Sequence, residues 1–143
     1  MTTRTRLVAA NWKMQISAAE SESLAIHILG ELTHMPADCE VLFAASFPAL
    51  ERVVRAVGGQ PFFSVAAQNC ASEAKGAMTG EVSADMLKEI GVSKVIIGHS
   101  ERRILFKEDN ATLRKKVDAA LAAGLEVIFC CGETDKERQA GMH

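Results

Sequence analysis

Short runs of consecutive apolar residues alternate with longer stretches of helical period along this whole sequence, and few folds accept that rhythm. The runs that read as strands are residues 6–10, 40–45, 62–67, 94–97 and 125–130. Their apolar residues are consecutive rather than alternating, as in parallel strands covered on both faces. The first helical period opens at Ser17, with Glu20 three positions on in capping-box spacing, and carries Leu24, Ile28, Leu29 and Leu32 on one face. The second covers about residues 48–57 and stops at Gly58-Gly59; the third covers about 83–90 and stops at Gly91. The fourth, about 109–123, repeats Leu113, Val117, Ala120 and Leu121 and closes at Gly124. A glycine at each stop supplies the positive φ that ends a helix and turns the chain toward the next strand.

Five β/α units fit two architectures. A five-stranded doubly wound sheet is complete at this length. A parallel (β/α)8 barrel takes about 250 residues and is incomplete here, with about five strands and four helices. Periodicity does not choose between them. One segment breaks the rhythm: residues 68–81 form a long polar loop in which Met78 is the one large apolar side chain. Long loops inside compact domains are usually functional.

Composition narrows the function classes. A net charge of -2 and scattered basic residues give no track for a nucleic-acid backbone. No apolar stretch approaches the ~20 residues of a membrane helix, and no leader segment is evident. Cys39, Cys70, Cys130 and Cys131 have neither disulfide-framework nor zinc-site spacing, so they read as buried, reduced thiols of a cytoplasmic protein. No metal site is expected.

The candidate chemistry lies at strand ends. The segment VAANWKM leaves Asn11 and Lys13 at the carboxyl end of the first strand, where α/β folds place their ligands. Lysine there offers a point charge for a phosphate or a developing oxyanion, and Asn11 offers an orienting amide. On one strand alone, such a lysine reads as solvated. The fourth strand runs KVIIGHSERR, which puts His99 at its end with a short helix starting at Ser100. A histidine beside a helix N-terminus is disfavoured as a cation, and a neutral imidazole can donate to a carbonyl oxygen. An isolated histidine there reads as a satisfied residue in a turn; a lysine and a histidine converging at one face from two strand ends weaken that reading and leave both alternatives open.

The motifs AANWKMQ, GAMTGEVS, VIIGHSERR and FCCGET occur in an order and at spacings similar to triosephosphate isomerase, over about residues 6–141. The resemblance implies the (β/α)8 barrel, with residues 1–143 as the N-terminal portion of one barrel domain. It implies interconversion of dihydroxyacetone phosphate and glyceraldehyde 3-phosphate through an enediol(ate), with no cofactor and no metal. Asn11 and Lys13 match the substrate-binding pair, Lys13 balancing phosphate and enediolate charge. His99 matches the electrophile that polarises the carbonyl, and the resemblance implies that it is neutral beside its helix N-terminus. Ser100 and Glu101 match the helix start behind it, with Glu101 expected close to Lys13. Thr79 matches the loop tip that enters the neighbouring subunit's pocket, so a homodimer through residues 68–81 is implied. Cys130 and Glu133 match the end of the fifth strand.

The sequence departs from the family pattern at Gln15, where asparagine is usual, at Ala10, where glycine is common, and at Met78, where an aromatic is frequent. The family's catalytic glutamate, lid loop and glycine-rich phosphate loops belong to strands six to eight, which the 143 residues do not match. Without that base the 143 residues are expected to be inactive alone, and the rival reading is a non-catalytic α/β module that only associates. A barrel interior is expected from Val8, Leu42, Val65, Ile96 and Ile128. Glu133, Asp135 and Glu137 carry no sign of a substitute base, and His27, His34 and His143 read as outside the site.

Overall fold

The computed structural model describes residues 4–142, so His143 lies outside the described residues. In chain order the elements are β1 (Arg6–Asn11), α1 (Ala18–Glu31), β2 (Cys39–Ala45), α2 (Phe47–Val57), β3 (Phe63–Ala67) and α3 (Ala84–Glu89). There follow β4 (Lys94–Ile97), α4 (Ser100–Leu105), α5 (Asn110–Ala122), β5 (Glu126–Phe129) and α6 (Asp135–Gln139). All five expected strands form, within a residue at either end. Phe62 drops out of β3 because its backbone turns left-handed, with φ 69°. Among the described residues six helices form: the four of the expected helical periods, the short α4 expected from Ser100, and the five-residue α6.

The strands pair in parallel in the order β1-β2-β3-β4-β5. A strictly sequential order has no point of reversal, so the doubly wound alternative is excluded and the winding is that of a barrel. The packing says the same. Val41, Phe43, Ala45, Val65, Ala67, Val95 and Ile97 point to the helices and form one core with Leu50, Val53, Leu87, Leu113 and Ala120. Leu42, Ala44, Ala66 and Ile96 form a second cluster on the opposite face, joined by Ile128 and Cys130, and no helix contributes to it. A doubly wound sheet would cover that face with helices; a barrel leaves it to line the interior. The register corrects two residues of the expected interior. Val8 pairs with Val41 and Val65 with Phe43, so both belong to the helix-facing layer. The inward positions at those levels are Ala9 and Ala66.

Local chemistry explains the elements. Ser17 and Glu20 form the reciprocal capping box that starts α1. The deepest residues of α1 are Ser21 and Ala25 rather than the leucines, because α1 lies close against α2 and only small side chains fit between. Leu24 and Leu32 stay exposed. Gly58, Gly91 and Gly124 take φ of 52°, 90° and 74°, closing α2, α3 and α5 as their positions require. On α5, Leu113 and Ala120 are buried as expected, Leu121 is exposed, and Lys116 is buried with them. Phe43 anchors the centre, stacked on Trp12 at 5.3 Å and on Phe63 at 6.1 Å between ring centroids.

The interior carries a charged floor that periodicity gave no sign of. Glu40, Ser64, Lys94 and Glu126 lie in a row across β2 to β5 on the inward face. Lys94 is 8% exposed and pairs with Glu126 at 2.7 Å and Glu40 at 3.2 Å. Ser64 donates to Glu40. The two outer strands, β1 and β5, are edges of the sheet, and Val8 and Phe129 on them are 58% and 48% exposed. No helix among the described residues is long and apolar enough to cross a membrane.

Candidate active site

Asn11 closes β1, and its side-chain oxygen accepts the backbone N–H of Lys13 at 3.0 Å. That bond makes an Asx turn two residues long. It holds Lys13 in the left-handed region, φ 50°, a costly conformation for a residue with a side chain. Gln68 pins the same turn from the other side, its Nε2 donating to the Lys13 carbonyl at 3.0 Å and to the Ala44 carbonyl at 2.9 Å. The ends of β1 and β2 are thereby locked to the root of the polar loop. Sequence reasoning passed over Gln68, although its place as the first residue of that loop was a signal.

His99 follows β4 as the N-cap of α4. Gly98, with φ 80°, lets the chain turn there; a Cβ on it would come 3.0 Å from both the Arg103 guanidinium and the Cys130 carbonyl. His99 Nδ1 accepts the Glu101 N–H at 3.2 Å. In that arrangement the neutral ring carries its proton on Nε2, which is left to donate. The His99 carbonyl in turn accepts from the amides of Arg102 and Arg103.

The two strand ends meet through one ion pair. Lys13 Nζ donates to Glu101 Oε1 at 2.6 Å, and Glu101 Oε2 lies 3.5 Å from His99 Nδ1. The Lys13 ammonium holds the Glu101 carboxyl below the usual carboxylate range. Asn11, Lys13, His99, Ser100 and Glu101 therefore occupy one corner at the carboxyl ends of β1 and β4. Thr79 does not join them: it lies in the exposed turn at residues 78–81 and shares no hydrogen bond or ion pair with those five among the described residues.

A buried cluster behind α4 went unread in the sequence. Glu108 Oε1 accepts from Arg102 at 2.8 Å and from Lys116 at 2.6 Å, and Lys116 also donates to Asn69 at 2.8 Å. Burial raises the Glu108 carboxyl, and the two cations more than offset it, leaving it below its ordinary value. The cluster ties α4 to α5 and to the root of the polar loop. Lys116 was hidden because a lysine on an apolar stripe reads as a boundary residue, and its partners lie 8 and 47 positions away.

All four cysteines are free thiols. The expectation that they are buried holds only for Cys70, whose thiol burial pushes up to about 11. Cys39 and Cys130 are half-buried, and Cys131 is exposed at the edge beyond β5, where no further strand covers it. His27 and His34 are exposed, as expected. Glu133 pairs with Arg138 at 2.6 Å and Glu137 caps α6, so both are engaged in local structure.

The triosephosphate isomerase family model matches residues 6–143. The triosephosphate isomerase of Prosthecochloris aestuarii is 48% identical over 139 residues, 97% of this chain and 55% of that protein. That of Chlorobaculum tepidum is 47% identical over 135 residues, 94% of this chain and 55% of its own length. The crystal structure of triosephosphate isomerase from Bartonella henselae superposes with a TM-score of 0.84 at 39% identity, covering 96% of this chain and 56% of that one. The chain thus spans about half the length of the curated relatives it matches. With a sequential parallel sheet, helices on one face and these matches across nearly its whole length, the chain belongs to the triosephosphate isomerase family, as an incomplete (β/α)8 barrel.

Proposed function

We propose that this corner is the carbonyl-polarising half of a triosephosphate isomerase active site. The observation that carries the reading is the convergence of Lys13 and His99 on Glu101, each within hydrogen-bonding distance of it, with Lys13 88 positions away from Glu101 in sequence. The substrate is a phosphorylated triose, dihydroxyacetone phosphate or glyceraldehyde 3-phosphate, and the reaction belongs to glycolysis and gluconeogenesis. Asn11 and Lys13 bind it. The Lys13 ammonium balances the phosphate and the negative charge that builds on the enediolate oxygen, where a preplaced charge is worth most. His99 donates from Nε2 to the carbonyl oxygen as the adjacent C–H is broken. Ser100 and Glu101 hold the histidine and lysine in place from behind. No cofactor or metal has a role in this reading.

The proton must be taken by a base at the carbon beside the carbonyl. We assign that base, with the lid and the phosphate loops, to the part of the relatives' length that this chain does not span. Residues 1–143 are then the N-terminal portion of a single barrel domain. The whole enzyme is a cytoplasmic homodimer in which residues 68–81, Thr79 at the tip, enter the partner's pocket. The exposure of Thr79 and its separation from the other site residues support that reading.

A coupled isomerase assay tests the proposal. The chain is assayed alone and after co-refolding with the C-terminal part of the Prosthecochloris aestuarii triosephosphate isomerase. Turnover in the mixture that is lost with His99→Gln supports it. No turnover from a mixture that forms a folded 1:1 complex would favour the non-catalytic module instead.

A further inference from the structure

Arg103 makes more connections at the candidate site than any residue assigned a role there. It lies on α4, four residues beyond His99, and is half-buried. Its Nε donates to the Gly98 carbonyl at 2.8 Å, and its Nη2 donates to the Cys130 carbonyl at 3.1 Å. Its Nη1 donates to Asn110 Oδ1 at 2.9 Å, at the start of α5. The guanidinium lies over the Phe129 ring, 5.6 Å from its centroid. Three edges of one planar group thus fasten the ends of β4 and β5 and the head of α5. The fastened carbonyl on β4 is that of Gly98, which is bonded directly to the backbone nitrogen of His99.

We propose that Arg103 is a positioning residue for His99, a reading that deepens the role proposed above for that histidine. The Gly98–His99 peptide can rotate about the left-handed Gly98, since glycine imposes no side-chain barrier. Fixing the Gly98 carbonyl removes that freedom and fixes where the imidazole starts. The backbone β4–β5 ladder already joins Cys130 N–H to the Ile97 carbonyl at 2.8 Å, so Arg103 adds the next rung with a side chain. The consequence is specific: His99 is aimed by the end of β5 as well as by its own strand. A lysine could reach one carbonyl but not reproduce the planar fork.

The test reads the histidine ring rather than turnover. In the chain labelled with 15N-histidine, at mildly alkaline pH, the wild-type His99 ring is expected to show one pyridine-type and one pyrrole-type nitrogen. That is the signature of Nδ1 held by the Glu101 amide. In Arg103→Met the two signals are expected to move toward the average of exchanging tautomers, with large shifts of the Gly98 and Glu101 amides. The methyl signals of Leu50 and Val53, on the buried face of α2 in the core, should stay in place. A ring that keeps its fixed tautomer in a folded Arg103→Met chain overturns the proposal. So does a ring that changes only together with Leu50 and Val53, which would make Arg103 merely structural. Should Arg103→Met fail to fold, Arg103→Lys decides: a shifted ring supports the proposal and an unshifted one ends it. A negative result here leaves the isomerase reading intact, and a negative isomerase assay leaves this geometry intact.

Discussion

Lys13 and Glu101 lie 88 positions apart in sequence and close an ion pair of 2.6 Å between the ends of β1 and β4. Both side chains remain partly open to solvent, so the pair contributes little to stability. It also orders the corner. Glu101 faces Lys13 with one oxygen and His99 with the other, so one carboxylate spaces the two groups that would act on substrate.

The Glu101 carboxyl is expected to titrate below its ordinary 4.5, because the Lys13 hydrogen bond favours its charged form. A depressed folded value means that the pair's stabilisation is present above the unfolded carboxyl's pKa and is lost as pH falls through the folded one. Carbon-detected NMR titration of Glu101 checks this, and Lys13→Met should return the midpoint toward 4.5. An unchanged midpoint in that variant would show the pair is not formed in solution.

Inside the barrel, burial lowers the Lys94 pKa, but the hydrogen bonds it donates to Glu126 and Glu40 outweigh it and leave the ammonium above its ordinary 10.5. Its contribution is therefore complete below the unfolded lysine value and lost only in strong alkali. Glu40→Ala should cost about 2–4 kcal/mol, since it leaves an ammonium that is 8% exposed with the solvent-exposed Glu126 as its remaining carboxylate. Glu126→Ala should cost no more than about 1 kcal/mol, because that carboxylate is 74% exposed. Urea denaturation followed by circular dichroism separates the two, and equal costs would refute the asymmetry.

Phe43 is wholly buried between Trp12 and Phe63. Phe43→Ala is expected to cost about 3–5 kcal/mol, the range for a large aromatic truncated in a packed core. The same denaturation experiment measures it. A loss under about 1 kcal/mol would show that the stack is loosely packed in solution.

Catalysis has its own prediction, made in the reconstituted complex. Lys13→Ala should lower kcat/KM by the equivalent of about 3–4 kcal/mol, or about a hundred- to a thousandfold. On the proposed reading the lysine holds the substrate phosphate and acts more strongly on the charge of the transition state, so KM should rise and kcat should fall. Retention of near-normal kcat/KM would reduce Lys13 to a solvated charge at a strand end.

The sequence by itself determined the five parallel strands, the glycine-closed helices, and the placing of Asn11, Lys13 and His99 at strand ends. Those are local facts: consecutive apolar residues, i to i+4 spacing, and glycines with positive φ are all written within a few positions of where they act. Only the tertiary structure decided which face of each strand became the interior, because that depends on register. A shift of one residue exchanges Val65 for Ala66. It alone showed Lys94, Lys116 and Glu108 as buried charges, since each is tolerable inside only through partners from other elements. The left-handed Lys13, held by Asn11 and Gln68, and the Arg103 fork across two strand ends belong to the same class. Hydrogen bonds such as those from Gln68, 55 positions from Lys13, become visible only when the chain has brought both ends together.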